Sequence, residues 1–548
     1  MGVGDRSPQL ISHSFVWTQQ AKAMVCVIAM MPASLWTIVI FSAVFALASS
    51  AVVTDWPSLE FHFKVKRNSM NVHGQSDFFM FANPVVSTDG NRVLYDVFST
   101  ISDGRTVYNY SLINGVGFSS ISSLDNTVAP SINCLDSELG KLPPINAIVN
   151  ALNDATVVSS TGNTLIECPS GELFKVTVNG FDFALCASDS SGFTLQGGDM
   201  DVEVKDLDSP VDIQKPTNPK QHCEAVAKPS SITPIGESLL TGQPVLNATR
   251  NLKAAFDFSF KGWSSCSCKS TPRPCIFIHG MGVDEELPGN LDNYTDYWGD
   301  HLPDHAPCCS SLQFAHLNTV NNTWTNVEQQ EKVCNRALIV SDTSTDRTIS
   351  DTIVVTHSMG NLMFAGALAN GRCSLDSSST WVALAAPMKG SMCSDFVQES
   401  CAGETNIVWE KIGNITGRCP ATTALKSLAY QGGNHTTDEL DATYTAAQEV
   451  YKNNVYAAMC SEWYSGIPSK YQAEFWALGT MVPHKSRKND GMVEFQSCAI
   501  GIPDSEFDDS WKSRFYKTRL NHYDMEFLTG DSLLNGEKMP LKWFECLL

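Results

Sequence analysis

Thr352-Ile353-Val354-Val355-Thr356-His357-Ser358-Met359-Gly360-Asn361 is the stretch on which the fold turns. Its first half is an apolar, β-branched run of the kind that forms a strand buried on both faces. Its second half leads into residues 361–370, which read as a helix. A serine at such a junction matches the strand–turn–helix context of a nucleophile elbow. The turn is sharp, so the residues flanking the serine two positions away must be small. Gly360 satisfies this on one side, and Thr356 stands on the other, where Gly or Ala is usual. A serine hydroxyl is a weak nucleophile until a base removes its proton, and the raised turn leaves Ser358 open to one. The dipole and free N–H groups of the following helix favour a developing oxyanion. The plainer reading of the same residues is an ordinary serine in a strand–helix turn.

Working outward, Cys275-Ile276-Phe277-Ile278 is a second buried-strand run, ending in His279-Gly280-Met281-Gly282. Its His-Gly precedes Ser358 by 79 residues. Trp381-Val382-Ala383-Leu384-Ala385 is a third run and residues 475–481 a fourth. Strand runs alternating with helical segments predict a parallel sheet with crossover helices from about residue 255 onward. Downstream lie Lys488-Asn489-Asp490-Gly491-Met492-Val493 and Asn521-His522-Tyr523-Asp524. Residues 391–475 form an insert whose aromatic residues include Trp409, Tyr430, Tyr444, Tyr451, Trp463 and Tyr464. Such a set lines a pocket in some proteins and packs a core in most.

These pieces together resemble the α/β-hydrolase lipases, with the H-G-x loop of many bacterial triacylglycerol lipases. The likeness touches five places in order: His279-Gly280, the Ser358 elbow, Ala386-Pro387-Met388-Lys389-Gly390-Ser391, Asn489-Asp490-Gly491 and Asn521-His522-Tyr523-Asp524. It covers residues 275–548, about half the chain, and does not reach residues 1–254. The resemblance implies Ser358 as nucleophile, His522 as general base and Asp490 as the acid that orients it. It implies the backbone N–H groups of Met281 and Met359 as the oxyanion hole, with His279 structural. Asp508, Asp509 and Asp524 remain rivals for the acid, and His484 for the base. Asp524 stands where some bacterial lipases place a calcium ligand, without evident companions. Residues 391–475 fall where these folds carry a lid. No metal or organic cofactor is required by this set.

The bulk properties set the frame. A chain of 548 residues with 43% hydrophobic and 17% charged residues is long enough for two packed domains. The formal charge of −21 offers no basic field for phosphates, which excludes a nucleic-acid partner. It also disfavours anionic membranes, while contact with a neutral lipid interface stays compatible with it.

Residues 1–51 contain a nearly unbroken apolar run from Met24, ending Ala46-Leu47-Ala48-Ser49-Ser50-Ala51. This reads as a cleaved signal peptide, with an uncleaved signal anchor as the alternative. Of 18 cysteines only Cys26 precedes residue 134, so 17 follow the signal and at least one lacks an internal partner. No CxxC pair occurs, so disulfides are expected in place of a zinc site. Sequons at Asn109, Asn247, Asn293, Asn321, Asn414 and Asn434 add to a secretory reading.

Residues 52–205 predict a β-rich antiparallel domain. Phe61-His62-Phe63-Lys64-Val65-Lys66 alternates with period two, as do residues 91–99, 107–112 and 174–178. Asp89-Gly90-Asn91, Asp103-Gly104 and Asn114-Gly115 mark hairpin turns, and residues 144–152 a helix. Cys134, Cys168, Cys186 and Cys223 are an even set that can close within this domain. Residues 206–254, rich in Pro and polar residues, read as a linker.

The expected whole is therefore an α/β-hydrolase fold with a mostly parallel sheet and a cap insert, behind a β domain of unassigned partner. The expected activity is hydrolysis of carboxylic esters, lipid esters first, in the secreted space. Two alternatives stand beside it: an acyltransferase using the same residues, and a binding protein on a degenerate hydrolase fold, to which Thr356 points.

Overall fold

The computed structural model describes residues 56–548, apart from 89, 91, 125–130, 159–167, 169–171, 188–191, 217–222, 243–264 and 403–418. The expected signal segment lies outside the described residues.

Strong period-two alternation makes the N-terminal region one large antiparallel sheet. In β1 (Ser58–Val65), Leu59, Phe61 and Phe63 are buried while Glu60, His62 and Lys64 face outward. From β1 the chain meanders outward through β2 (Asp77–Val86), β3 (Arg92–Asp103), β4 (Thr106–Ile113), β5 (Val116–Ser123) and β6 (Ser131–Cys134). It then returns through β7 (Thr156–Val157), β8 (Leu173–Val178), β9 (Phe181–Ala187), β10 (Phe193–Gly197) and β11 (Met200–Leu207), which pairs with β1. Asn114-Gly115 and Asn179-Gly180 close two hairpins with positive φ at both residues, 49° and 81° in the first and 48° and 83° in the second. That geometry matches the right-handed strand twist and suits Asn-Gly.

The buried face of this sheet packs on helix α1 (Ile145–Ala151) and on Leu533, Leu534 and Met539, which come from the far end of the chain. Disulfides Cys134–Cys223 and Cys168–Cys186 close within the region. The stretch read as a linker is more structured than expected. β11 extends to Leu207, β12 (Ser230–Ser231) pairs with β3, and α2 (Pro234–Thr241) is capped by Thr233. Local composition suggested a loop, and docking on the sheet overrides it.

The second sheet has seven strands, all in parallel pairs: β13 (Arg273–Ile278), β14 (Cys309–Phe314), β16 (Ile353–His357), β18 (Thr380–Leu384), β19 (Val455–Ser461), β20 (Phe507–Asp508) and β21 (Phe515–Thr518). A separate two-stranded pair joins β15 (Thr348–Ile349) to β17 (Ser374–Leu375). The spatial order is β14-β13-β16-β18-β19-β21-β20. The chain steps from β13 to β14 on one side, then crosses back to β16 on the other. At such a switch the loops leaving β13 and β16 diverge, which opens a crevice above their carboxyl ends. Helix α3 (Met359–Ala369) is buried nearly all round, as its apolar sequence requires, and packs against α4 (Asp438–Asn454).

Two expectations fail here. Residues 475–481 lie in a helix, Gln472–Met481, with Trp476 and Met481 exposed; an apolar run alone does not separate strand from helix. The strand in that slot is β19, so the insert expected over residues 391–475 is interrupted by a central strand of the sheet. Tyr444 and Tyr451 are fully buried in the core around α3, and Trp463 stacks on Tyr464. Trp409 lies outside the described residues.

Eight disulfides form among the described cysteines, and Cys393 remains a buried free thiol. Cys308 and Cys309 pair separately, with Cys268 and Cys275. Among the described residues no helix is long and apolar enough to cross a membrane. Both sheets belong to one compact unit, Trp56–Leu548.

Candidate active site

β16 carries His357 at its end, and the chain turns at Ser358 directly into α3. Ser358 has φ 52° and ψ −129°, a conformation costly for any residue with a Cβ, of order 1–3 kcal/mol. Its surroundings hold it there. The Ser358 N–H donates to Leu384 O at 3.0 Å, and Asn361 N donates to Ser358 O at 3.0 Å. The Asn361 amide also donates to the carbonyls of Thr356, Ser358 and Leu384. No sequence signal singled out Asn361.

Two glycines let backbones close on this turn. A Cβ at Gly360 would sit 2.6 Å from Ile278 O and 2.7 Å from His279 O. One at Gly280 would sit 2.5 Å from Ser358 Cβ and 2.9 Å from the Tyr297 hydroxyl. Thr356 fits because its hydroxyl is used: it donates to Asn361 Oδ1 and accepts from Trp381 Nε1 at 2.8 Å.

Ser358, His522 and Asp490, far apart in sequence, meet here. His522 Nε2 is 2.9 Å from Ser358 Oγ, and His522 Nδ1 is 2.7 Å from Asp490 Oδ2. All three are buried, Ser358 at 8% exposure and the others at 2%. Asp490 Oδ1 accepts N–H bonds from Met492 at 2.8 Å and Val493 at 2.7 Å, and Asp490 O accepts from His522 N. The carboxylate is thus aimed by its own turn. A hydroxyl so placed can pass its proton to the imidazole, and the carboxylate can stabilise the imidazolium that results.

Of the two residues expected to hold an oxyanion, Met359 directly follows Ser358 and Met281 lines the same cavity. Met359 is the first residue of α3, so its N–H has no acceptor within the helix. The Gly280 N–H is already given to the Tyr297 hydroxyl at 2.7 Å, which leaves that of Met281 as the donor available from the β13 loop.

The rivals are elsewhere. His484 Nδ1 pairs with Glu494 at 2.8 Å, away from Ser358. Asp524 is buried and its Oδ2 accepts the N–H groups of Ile467 at 2.7 Å and Asn521 at 3.0 Å, while Oδ1 accepts the Thr529 hydroxyl. No group of three or more metal-ligating side chains occurs among the described residues.

Next to Ser358, Tyr297, His357 and Glu526 form a network that sequence reading gave no role. Tyr297 Oη is 2.6 Å from His357 Nδ1, and His357 Nε2 is 3.1 Å from His522 O. A carbonyl only accepts, so His357 carries its proton on Nε2 and takes one from Tyr297 at Nδ1. Glu526 Oε2 is 3.3 Å from His357 Nδ1. Burial pushes the Glu526 carboxyl well above its ordinary range and the His357 imidazole well below its own.

His279 is buried and neutral. Its Nε2 accepts Leu317 N–H at 3.0 Å, so Nδ1 carries the proton toward Gly280 O at 2.8 Å. Burial lowers its pKa from 6.5 to about 4. Between those values the unfolded chain holds the extra proton. The stability from neutral His279 is therefore complete above pH 6.5 and is lost as pH falls toward about 4, up to ~3 kcal/mol. We expect the fall in Tm from neutral to mildly acid pH to be shallower in His279→Gln than in wild type. Equal slopes would contradict this.

A cavity of about 1090 Å³ opens over Ser358 and His522. Met281, Val283, Val320, Leu425, Leu428 and Met492 give it apolar walls, and Asp284, Asp296, Lys470 and Glu474 also line it. Tyr294, Tyr297, Tyr471 and Tyr523 also line it, the last two meeting edge to face, so its aromatic lining comes from residues outside the set noted in the sequence. Cys393 also lines it, with its thiol pushed up to about 12 by burial.

The fold and site define a class of arrangement: a Ser–His–Asp series at the switch point of a parallel sheet. Comparisons add little to that. No family model and no curated protein matches the chain. Among solved structures it is similar to Staphylococcus hyicus lipase, with TM-score 0.29 and 12% identity, over 51% of this chain and 95% of that one. It is also similar to phospholipase PlaB from Legionella pneumophila, with TM-score 0.26 and 15% identity, over 41% of this chain and 44% of that one. Scores this low bear on neither fold nor activity.

Gly280→Ala offers a local check, because its Cβ would displace Ser358 or Tyr297. Shifts near 1 Å at a reacting group cost on the order of 10²-fold in rate. If Ser358 is the reacting group, we expect at least that loss in kcat together with a lowered Tm; a wild-type kcat and Tm would contradict the close packing of this loop.

Proposed function

We propose that residues 255–548 form an α/β-hydrolase domain and that the chain is a secreted serine hydrolase of carboxylic esters, lipid esters in particular. The observation that carries this is the continuous series Ser358 Oγ–His522 Nε2 and His522 Nδ1–Asp490, beneath a cavity and beside two available N–H groups. The strand order and the position of Ser358 after β16 suit the fold. Eight disulfides suit an oxidising compartment.

In this mechanism Ser358 Oγ attacks the acyl carbonyl as its proton passes to His522 Nε2. The tetrahedral oxyanion is held by the N–H groups of Met281 and Met359, at about 3–4 kcal/mol per donor. The C–O bond then breaks and His522 returns the proton to the departing alcohol. Water repeats the sequence on the acyl-serine, and the carboxylic acid leaves. Asp490 keeps the proton of neutral His522 on Nδ1, so that Nε2 is free to accept.

The apolar walls point to a long acyl chain, since such surface gains roughly 25 cal/mol per Å² on burial. The test is kcat/KM on a series of p-nitrophenyl esters. Higher values on dodecanoate or palmitate than on acetate are expected, and a maximum on acetate would overturn the lipid preference. Added alcohol acceptors, with products identified, separate hydrolysis from acyl transfer.

A further inference from the structure

Given His522 as the base of the proposed reaction, the loop bearing it must be held to within a fraction of an ångström. The residues that hold it come in part from the N-terminal sheet. Asp524, two positions on, accepts the N–H of Asn521 and that of Ile467. Asn521 Oδ1 in turn accepts the N–H groups of Tyr523 and Asp524, at 3.0 and 2.9 Å. The loop therefore leans on the backbone at Gly466-Ile467, where a Cβ on Gly466 would lie 2.0 Å from Asp524 Oδ2.

That backbone is tied to the other domain. Gly466 O accepts Lys538 Nζ at 2.8 Å, and the same ammonium, its side chain 1% exposed, lies 3.3 Å from both carboxylate oxygens of Asp136. Asp136, just past the Cys134–Cys223 disulfide, also accepts the Ser465 hydroxyl and stands 3.8 Å from Arg519. One N-terminal carboxylate thus reaches three segments that flank His522.

A second anchor lies on the exit side of the loop. Thr529 bonds Asp524 through its hydroxyl, and its carbonyl accepts Lys141 Nζ at 3.4 Å. Asp531 N donates to Ser69 O at 2.7 Å, and its carboxylate faces the buried Arg67 at 3.4 Å. A Cβ on Gly530 would meet Ser69 O at 2.3 Å, so the two backbones touch. Leu533, Leu534 and Met539 then enter the core of the N-terminal sheet.

We infer that the N-terminal sheet is a positioning element of this reaction, fixing the His522 loop through Asp136–Lys538 on one side and Ser69–Asp531 on the other. It acts through the loop and touches no substrate. An independently folding binding module would need neither these buried charges across the seam nor three core residues borrowed from residues 533–539.

The test uses the full-length chain carrying Asp136→Asn together with Lys538→Met, which removes the pair without stranding a buried charge. Expected is a fall in kcat of about 10- to 100-fold with KM within about twofold, and a parallel fall in the rate of fluorophosphonate labelling. Lys538→Arg, with Asp136 intact, should recover most of the rate. A folded double variant with wild-type kcat would overturn the inference. Should that variant not fold, Ser69→Ala removes the hydroxyl that the N-terminal region gives to Asp531: slowed turnover upholds the anchoring and an unchanged rate overturns it. If wild type shows no Ser358-dependent hydrolysis, the functional reading fails by itself. Hydrogen exchange over residues 521–531 then decides the anchoring, upheld by faster exchange in the variants and overturned by no change.

Discussion

Ser358→Ala should lower kcat for ester hydrolysis by ~10⁶-fold, the scale seen when a serine nucleophile is removed from an intact site. The substitution deletes one oxygen, and the methyl group left behind keeps the Cβ that packs against Gly280. The turn is fixed by the Ser358 N–H on Leu384 O and by Asn361, neither of which uses the hydroxyl. Folding should therefore survive, with the Tm changed by no more than a few degrees. The residual rate should stay well above the uncatalysed one, because the N–H groups of Met281 and Met359 and the cavity remain. A loss of only a few-fold in purified, folded variant would mean that another group carries the acyl transfer.

The second large effect is expected at Asp490→Asn, about 10⁴-fold in kcat. The reason lies in which atoms the aspartate uses. Its Oδ1 accepts two N–H groups, from Met492 and Val493, and Oδ2 accepts from His522 Nδ1. An asparagine must keep its carbonyl oxygen on those two donors, which turns its amide toward His522. Nδ1 then becomes the acceptor and the imidazole proton moves to Nε2, facing Ser358. The hydroxyl has lost its base while the geometry is nearly unchanged. Since the electrostatic and hydrogen-bonding role is local, the variant should fold, and raising pH to deprotonate Ser358 more readily should narrow the gap. A kcat within tenfold of wild type would point to another residue as the acid.

What could be read from the sequence was whatever is encoded within a few neighbouring residues. The apolar runs at β13, β16 and β18 stand out because strands buried on both faces need continuous β-branched or apolar residues. Asp490 and His522 could be singled out because Asn489-Asp490-Gly491 and Asn521-His522-Tyr523-Asp524 resemble short motifs of the lipases. β19 was missed because Val455-Tyr456-Ala457-Ala458-Met459-Cys460-Ser461 follows a 17-residue helix without a breaker and is poor in β-branched residues. Its burial comes from β18 and β21 on either side, a tertiary context the segment does not encode. The Tyr297–His357–Glu526 network and the Asp136–Lys538 pair were invisible for a related reason. Each depends on contacts between residues tens to hundreds of positions apart, Asp136 and Lys538 by 402. Thr356, which looked like a blemish in the elbow, is accounted for by Trp381 and Asn361.

The most direct test of Ser358 as a nucleophile is covalent. Purified wild type is treated with a fluorophosphonate, digested, and the modified peptide sequenced by mass spectrometry, with Ser358→Ala treated alongside. One phosphonyl group on Ser358, absent from the variant and formed more slowly in Asp490→Asn, is the predicted result. An unlabelled wild type, or labelling of the variant to the same extent, would contradict the account.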